Sequence, residues 1–203
     1  MNHYENILRG NFNLLQLNDD YLEQKNLQTA IYRDDFPGFK EDYMAIHLII
    51  KKFKPQTLME IGTNSGYGTN IICNAMEGRK VFSIDLPADY QMEKIYSKVN
   101  PEDGRPSNVG IMCKFPFTQL WGNSKEFDFS KFYPIDAWFI DGKHNYEYAS
   151  ADTKNAMLSK PSVIIWHDIN INEVQQGVIE SLNHTEYSLY YVENTRVAFA
   201  KRK

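Results

Sequence analysis

Thr57-Leu58-Met59-Glu60-Ile61-Gly62-Thr63-Asn64-Ser65-Gly66-Tyr67-Gly68 is a short apolar strand that runs into a turn with glycine at positions 62, 66 and 68. Glycine lets a backbone turn sharply and approach a ligand more closely than a Cβ atom allows. Beyond the turn, Thr69 to Met76 reads as a helix and Lys80 to Ile84 as a second strand. A strand, a helix and a strand in that order make a parallel pair with a right-handed crossover.

The same alternation extends outward in both directions. Upstream, Phe39, Tyr43, Ile46, Ile50 and Phe53 recur at three- and four-residue steps until Pro55, which predicts a helix covering one side of the sheet. Downstream, the apolar runs Ala137 to Ile140 and Val163 to Trp166 predict strands buried on both faces, with a helix from about Tyr146 to Leu158 between them. Tyr187 to Val192 and Arg196 to Ala200 flank Glu193-Asn194-Thr195 and predict an antiparallel hairpin. The expected fold is α/β, a doubly wound, mostly parallel sheet with an antiparallel C-terminal hairpin. Residues 1–35, polar and aromatic without a period, are expected to form an N-terminal arm or lid, and residues 36–203 one domain. The stretch from Leu86 to about Phe117, punctuated by proline and glycine, is expected to be an inserted loop carrying substrate contacts.

Composition narrows the function classes. The 203 residues carry a net charge of −4, which argues against a non-specific grip on nucleic acid. The basic run Lys201-Arg202-Lys203 reads as a solvated tail. No apolar run approaches the roughly 20 residues that span a bilayer, and the N-terminus lacks the build of a signal peptide. Cys73 and Cys113 have no CxxC spacing and read as reduced thiols, so the expected setting is cytoplasmic, with no membrane partner. A homo-oligomer is left open.

In open α/β sheets ligands sit beyond the carboxyl ends of the strands, and the chemically informative residues fall there. A dinucleotide GxGxxG register starting at Gly62 is broken by Asn64 and Tyr67, and no Gly-Lys-Ser/Thr follows for a phosphate loop. Asp85 ends the second strand nineteen positions beyond Gly66, where a carboxylate can accept bonds from both ribose hydroxyls of a nucleoside. Asn123 in Leu120-Trp121-Gly122-Asn123-Ser124 carries an amide that can both donate and accept, and Ser124 adds a hydroxyl. Asp141-Gly142-Lys143-His144 and His167-Asp168 each follow an apolar strand, so two carboxylates and two imidazoles converge on one mouth. His3, His47 and His184 lack such company and are expected to be structural; Tyr43, Trp121, Trp138 and Trp166 are expected in the core.

The acidic strand end followed by Gly-Thr-x-x-Gly-Tyr-Gly resembles the first motif of class I S-adenosylmethionine-dependent methyltransferases, which implies a Rossmann-like doubly wound sheet of seven strands. It is most similar to their small-molecule O-methyltransferase branch. Asp-Gly-x-His-x-Tyr and His-Asp resemble signatures of sugar and macrolide O-methyltransferases and cephalosporin hydroxylase-like proteins. The resemblance covers roughly residues 56 to 180. It implies that Gly62 and Gly66 lie against the methionine part of S-adenosylmethionine, that Glu60 helps to hold its ammonium group, and that Thr63, Asn64, Asp85, Asn123, Ser124 and Asp141 complete the cofactor site. It further implies a small-molecule hydroxyl as methyl acceptor. His144 or His167 would be the base, since imidazole titrates near neutrality.

Asp141 and Asp168 at adjacent strand ends would repel each other unless a proton or a cation lay between them, which points to a shared divalent ion, magnesium (Mg2+) first. Two other readings stay open at this stage: a His/Asp metal enzyme of another reaction type on this fold, and a non-catalytic S-adenosylmethionine-binding protein.

Overall fold

Ala137–Ile140 and Val163–Trp166 are apolar at every position, and in the computed structural model both are buried along their whole length as neighbouring parallel strands. The structure describes residues 13–15, 40–87, 109–192 and 194–202. In chain order these form β1 (Asn13–Leu15), α1 (Lys40–Phe53), β2 (Thr57–Ile61), α2 (Tyr67–Met76), β3 (Lys80–Asp85), β4 (Thr118–Trp121), β5 (Ala137–Ile140), α3 (Tyr146–Leu158), β6 (Val163–Trp166), α4 (Asn172–Leu182), β7 (Tyr187–Val192) and β8 (Ala198–Arg202). A 3-10 turn, Phe129–Phe132, precedes β5.

The sheet order is β1-β7-β8-β6-β5-β2-β3-β4. All pairings are parallel except those of β8 with β6 and with β7, which form the C-terminal hairpin. Beside the seven expected strands stands an eighth, β1, whose backbone pairs in parallel with Tyr190–Val192 at the sheet edge. The rest of the expected arm, and residues 88–108 of the expected loop, lie outside the described residues.

Side chains on a strand alternate between faces, and two cores result. Met59, Trp138, Ile164 and Trp166 pack with Ala149, Val178 and Leu182 of α3 and α4. Leu58, Phe139, Val163 and Ile165 pack with Ile46, Ile49, Ile72 and Met76 of α1 and α2. Each such fully buried apolar side chain stabilises the fold by about 1.5–3 kcal/mol, so strands of four or five residues are held by what covers them.

Three further elements differ from the reading of the sequence. β4 follows the loop directly, and its half-exposed residues gave no period to read. Gly177 disguised α4, because glycine is a poor helix former. It is there for packing: a Cβ on it would lie 2.9 Å from the Tyr146 carbonyl oxygen and 3.0 Å from Ser150 N, so only glycine lets α4 approach α3 this closely. β8 runs two residues later than Arg196 to Ala200, because Arg196 and Val197 still belong to the turn, where Val192 N donates to Val197 O.

Candidate active site

Hydrogen bonding continues one residue beyond the central strands. Gly62 N donates to Ile84 O, Asp141 N to Ile61 O, and His167 N to Ile140 O. The loops after β2, β5 and β6 therefore leave the sheet at one level, on either side of the point where the chain order reverses between β2 and β5. That is the crevice in which α/β sheets bind ligands.

The glycine loop wraps over buried polar groups. Glu60 is fully buried, and its Oε2 accepts from Thr69 Oγ1 at 2.6 Å and Ser83 Oγ at 2.5 Å. Ser83 also meets Thr63 Oγ1 at 2.6 Å, and Gln119 Nε2 donates to Thr63 Oγ1 at 3.1 Å. Glu60 Oε1 is buried without a hydrogen-bond partner. Burial pushes the Glu60 carboxyl up to about 8, against the lowering effect of the Ser83 and Thr69 bonds. A ligand that brings a cationic or donor group to Oε1 fits this position. Asp85 accepts from Asn64 N at 2.6 Å through Oδ2 and from Leu86 N at 2.7 Å through Oδ1, which fixes the carboxylate at the end of β3.

Gly62 and Gly66 have left-handed backbones, with φ of 99° and 86°. What fills the space of their missing Cβ atoms is the protein's own backbone: Asp141 O at 2.1 Å for Gly62, and Gly110 Cα at 2.6 Å for Gly66. Gly110 N and Met112 N also donate to Asn64 O and Ser65 O, so the end of the long loop is seated on the glycine loop. The first contact sets the glycine loop directly against the start of the Asp141 segment.

Behind β4, Asn123 Oδ1 accepts from Lys125 N at 3.1 Å, and Ser124 is buried with its carbonyl oxygen accepting from Asn155 Nδ2. Next to Ser124 lies Asp152 of α3, buried, with Oδ1 lacking a partner and its carboxyl pushed by burial up to about 7. Trp138 and Trp166 are core residues as expected, but Trp121 is 50% exposed, at the end of a strand that forms one edge of the sheet among the described residues.

The imidazoles and carboxylates do converge. His144 Nε2 lies 3.3 Å from Asp141 Oδ1 and 3.2 Å from Asp168 Oδ2. His167 Nδ1 lies 3.5 Å and 3.2 Å from the same two oxygens, and its Nε2 faces Asp42 Oδ2 at 3.2 Å. Arg196 donates to Asp42 through N, Nε and Nη2 at 2.7, 2.8 and 2.7 Å, and to Asp168 Oδ1 through Nη1 at 3.0 Å. Tyr43 stacks beside His167 at a ring distance of 6.2 Å. Burial works against a charged His167 ring, yet Asp141, Asp168 and Asp42 push its pKa up to about 11. Burial likewise opposes ionisation of Asp141, but the two imidazoles hold its carboxyl well below the usual range. The bond to Asp141 raises His144 above its ordinary value. His167 is buried and His144 is 43% exposed in its side chain, so the two are not equivalent: one is fixed inside, the other faces the mouth.

Asp42, Asp152 and Arg196 escaped the sequence reading. Asp42 looked like an ordinary acid in the first turn of α1, where it complements the helix dipole. Arg196 looked like a residue flanking a turn. Neither carries a local signal, since their partnership spans 154 positions.

One carboxylate oxygen each of Asp141 and Asp168 and a ring nitrogen of His167 lie within 4.8 Å of one another, a spacing that can hold a metal ion. Among the described residues no helix is long and apolar enough to cross a membrane.

Solved structures of similar fold include the O-methyltransferase from Bacillus cereus in complex with SAH, 18% identical, covering 91% of this chain and 90% of that one with a TM-score of 0.54. CalS11, a calicheamicin methyltransferase, is 13% identical over 92% of this chain and 86% of its own, with a TM-score of 0.58. TomG, an O-methyltransferase from Streptomyces achromogenes in complex with SAM, is 15% identical over 94% and 92%, with a TM-score of 0.52. No functionally curated protein matches the chain in sequence. The family described as "Methyltransferase domain" matches residues 59–169, more than half of the chain, from the end of β2 through the His167-Asp168 pair. The chain belongs to this methyltransferase family.

Proposed function

We propose that the chain transfers the methyl group of S-adenosylmethionine to a hydroxyl oxygen of a small molecule. The observation that carries this reading is the contact of Gly62 with the Asp141 backbone, which places the His/Asp cluster against the cofactor loop. When bound, S-adenosylmethionine supplies a methyl group on a sulfonium that makes it electrophilic. Glu60, with its unpartnered Oε1, and Asp85 at the end of β3 bind the two ends of the donor; Asn123 and Ser124 border the adenine. The acceptor oxygen enters at the mouth beside His144, the more exposed imidazole, which takes the hydroxyl proton as the O–CH3 bond forms and the C–S bond breaks. Holding donor and acceptor in line contributes several kcal/mol of barrier reduction, on the order of 7 for a well-oriented pair.

Asp141 and Asp168 would hold a divalent cation, which when bound lowers the pKa of the acceptor hydroxyl. Magnesium is the first expectation from two carboxylates alone. The same carboxylates are otherwise answered by the protons of His144 and His167, so cation and proton are alternatives. A cytoplasmic setting is supported by the free thiols Cys73 and Cys113.

The test is calorimetry with S-adenosylhomocysteine, followed by methyl transfer to a panel of phenols, sugars and hydroxylated macrocycles with EDTA and with added divalent ions. Binding of S-adenosylhomocysteine and labelled product from a hydroxyl acceptor are expected. Absence of binding by the purified chain, or tighter binding of NAD, would overturn the reading.

A further inference from the structure

His167 Nδ1 faces two carboxylate oxygens at nearly equal distance, 3.2 Å to Asp168 and 3.5 Å to Asp141. A ring N–H lies in one direction in the plane of the imidazole, so it serves one acceptor well and not two. Charge-assisted N–H bonds to carboxylates run at about 2.7–2.9 Å, and the Arg196 contacts in this cluster keep close to that range, at 2.7, 2.8 and 3.0 Å. The two imidazole contacts are longer. Such lengths also match the edges between ligands around a common ion: with bonds of about 2.1 Å, those edges are about 3.0 Å at right angles and about 3.4 Å in a tetrahedron.

The surroundings are arranged for that geometry. Asp42 Oδ2 sits 3.2 Å from His167 Nε2, so when a cation displaces the Nδ1 proton the remaining ring proton is held on Nε2 and the Nδ1 lone pair faces Asp141 and Asp168. A carboxylate behind a ligating histidine is the usual device for fixing its tautomer and raising its basicity. Arg196 holds Asp42 through three donors and occupies Asp168 Oδ1, leaving Asp168 Oδ2 toward Asp141. Asp42 comes from α1 and Arg196 from the β7–β8 turn, both outside residues 59–169. His167 is buried at 3% exposure, and the cluster reaches the surface at the partly exposed His144, whose Nε2 lies 3.3 and 3.2 Å from the same two carboxylate oxygens.

We infer that Asp141, His167 and Asp168 form a three-ligand site for a first-row divalent transition ion in preference to magnesium, with Asp42 and Arg196 as positioning residues that fix His167 and Asp168. Neutral imidazole suits zinc, iron, cobalt and nickel, whereas magnesium takes oxygen ligands and keeps its waters. Three protein ligands leave positions open for an acceptor oxygen, as in catalytic zinc sites. The use of the ion rests on the methyl-transfer reading above; its binding does not.

The experiment titrates the metal-stripped full chain with cobalt(II), read by visible absorption, and then adds zinc or magnesium as competitors. One cobalt per chain is expected, displaced by zinc and retained against a hundredfold excess of magnesium. Asp42→Asn is expected to weaken cobalt binding by about 10- to 100-fold with the one-to-one stoichiometry kept, and Asp42→Glu to recover part of the loss. His167→Gln is expected to narrow the gap between cobalt and magnesium. No cobalt uptake by the wild type, or magnesium competing on equal terms, overturns the inference and needs no variant to fold. S-adenosylhomocysteine binding by the same stripped sample reads the methyltransferase function separately, so either can fail alone.

Discussion

Asp42 and His167 are 125 positions apart, and their side chains meet at 3.2 Å inside the protein, both almost fully buried. Through this contact the first turn of α1 reaches across to the end of β6. Arg196 closes the arrangement from the hairpin, donating to Asp42 and to Asp168 at once. Helix, sheet and hairpin are thus tied together at the mouth of the site.

Replacing Asp42 by Asn should destabilise the fold, because Asp42 accepts from Arg196 N, Nε and Nη2 as well as facing His167. Breaking a buried ion pair by removing one partner costs about 3–5 kcal/mol; with Arg196 still partly exposed and bonded to Asp168, about 3 is expected. Urea unfolding monitored by circular dichroism measures it. A change below about 1 kcal/mol would mean that the cluster does not hold the elements together.

Glu60 should make stability and cofactor binding depend on pH. Its folded pKa is raised to about 8, while an unfolded Glu titrates near ~4.3. Between these values the folded chain keeps a proton that the unfolded chain has lost, so this contribution to stability is full below the lower value and falls as pH rises. Glu60→Gln removes that slope, and its stability relative to wild type should improve from pH 5 to pH 8 by on the order of 3 kcal/mol. Binding of S-adenosylhomocysteine at neutral pH should release close to one proton, since its ammonium group favours the ionised carboxylate; heats measured in two buffers of different ionisation enthalpy report it. Equal heats would exclude Glu60 as the partner of the ammonium.

Gly62→Ala should be far more disruptive than Gly78→Ala, although both positions have a left-handed backbone. A Cβ at 62 would stand 2.1 Å from Asp141 O, whereas nothing lies within 4 Å of one at 78. The second change carries only the backbone penalty of about 1–2 kcal/mol; the first should lower stability by more than about 4 kcal/mol or prevent folding. Thermal melting of the two variants decides it, and equal losses would refute the close packing of loop on loop.

Asp85→Ala should weaken S-adenosylmethionine and S-adenosylhomocysteine by about 1.5–3 kcal/mol, the worth of hydrogen bonds to a charged group. Both Asp85 oxygens also receive backbone N–H groups, from Asn64 and Leu86, so the glycine loop should loosen together with the binding loss. Calorimetry gives the affinity, and hydrogen exchange at Asn64 gives the loop. Unchanged affinity for both ligands would remove Asp85 from the site.

The fold could be read in the sequence because each central element carries its own local pattern. Ala137–Ile140 and Val163–Trp166 are uniformly apolar, Tyr146–Leu158 starts behind the capping Asn145, whose Oδ1 accepts from Tyr148 N, and α1 shows helical spacing ended by Pro55. Where burial is partial, as in β4, or a glycine serves packing rather than a turn, as Gly177 does, the local pattern is absent and the element went unread.

The candidate site divides along the same line. Sequence alone brought Glu60, Asp85, Asp141, His144, His167 and Asp168 to one edge of the sheet, because each follows or ends a strand and parallel strands present those ends together. It could not tell His144 from His167, nor find Asp42 and Arg196. Which imidazole is enclosed and which faces the mouth depends on what packs above the strand ends, and those neighbours come from α1 and the hairpin, over a hundred positions away from His167 or from each other. The succession of strands and helices along the chain follows from local periodicity; side-chain partnership across such separations exists only once the chain has closed, and so only the tertiary structure decided it.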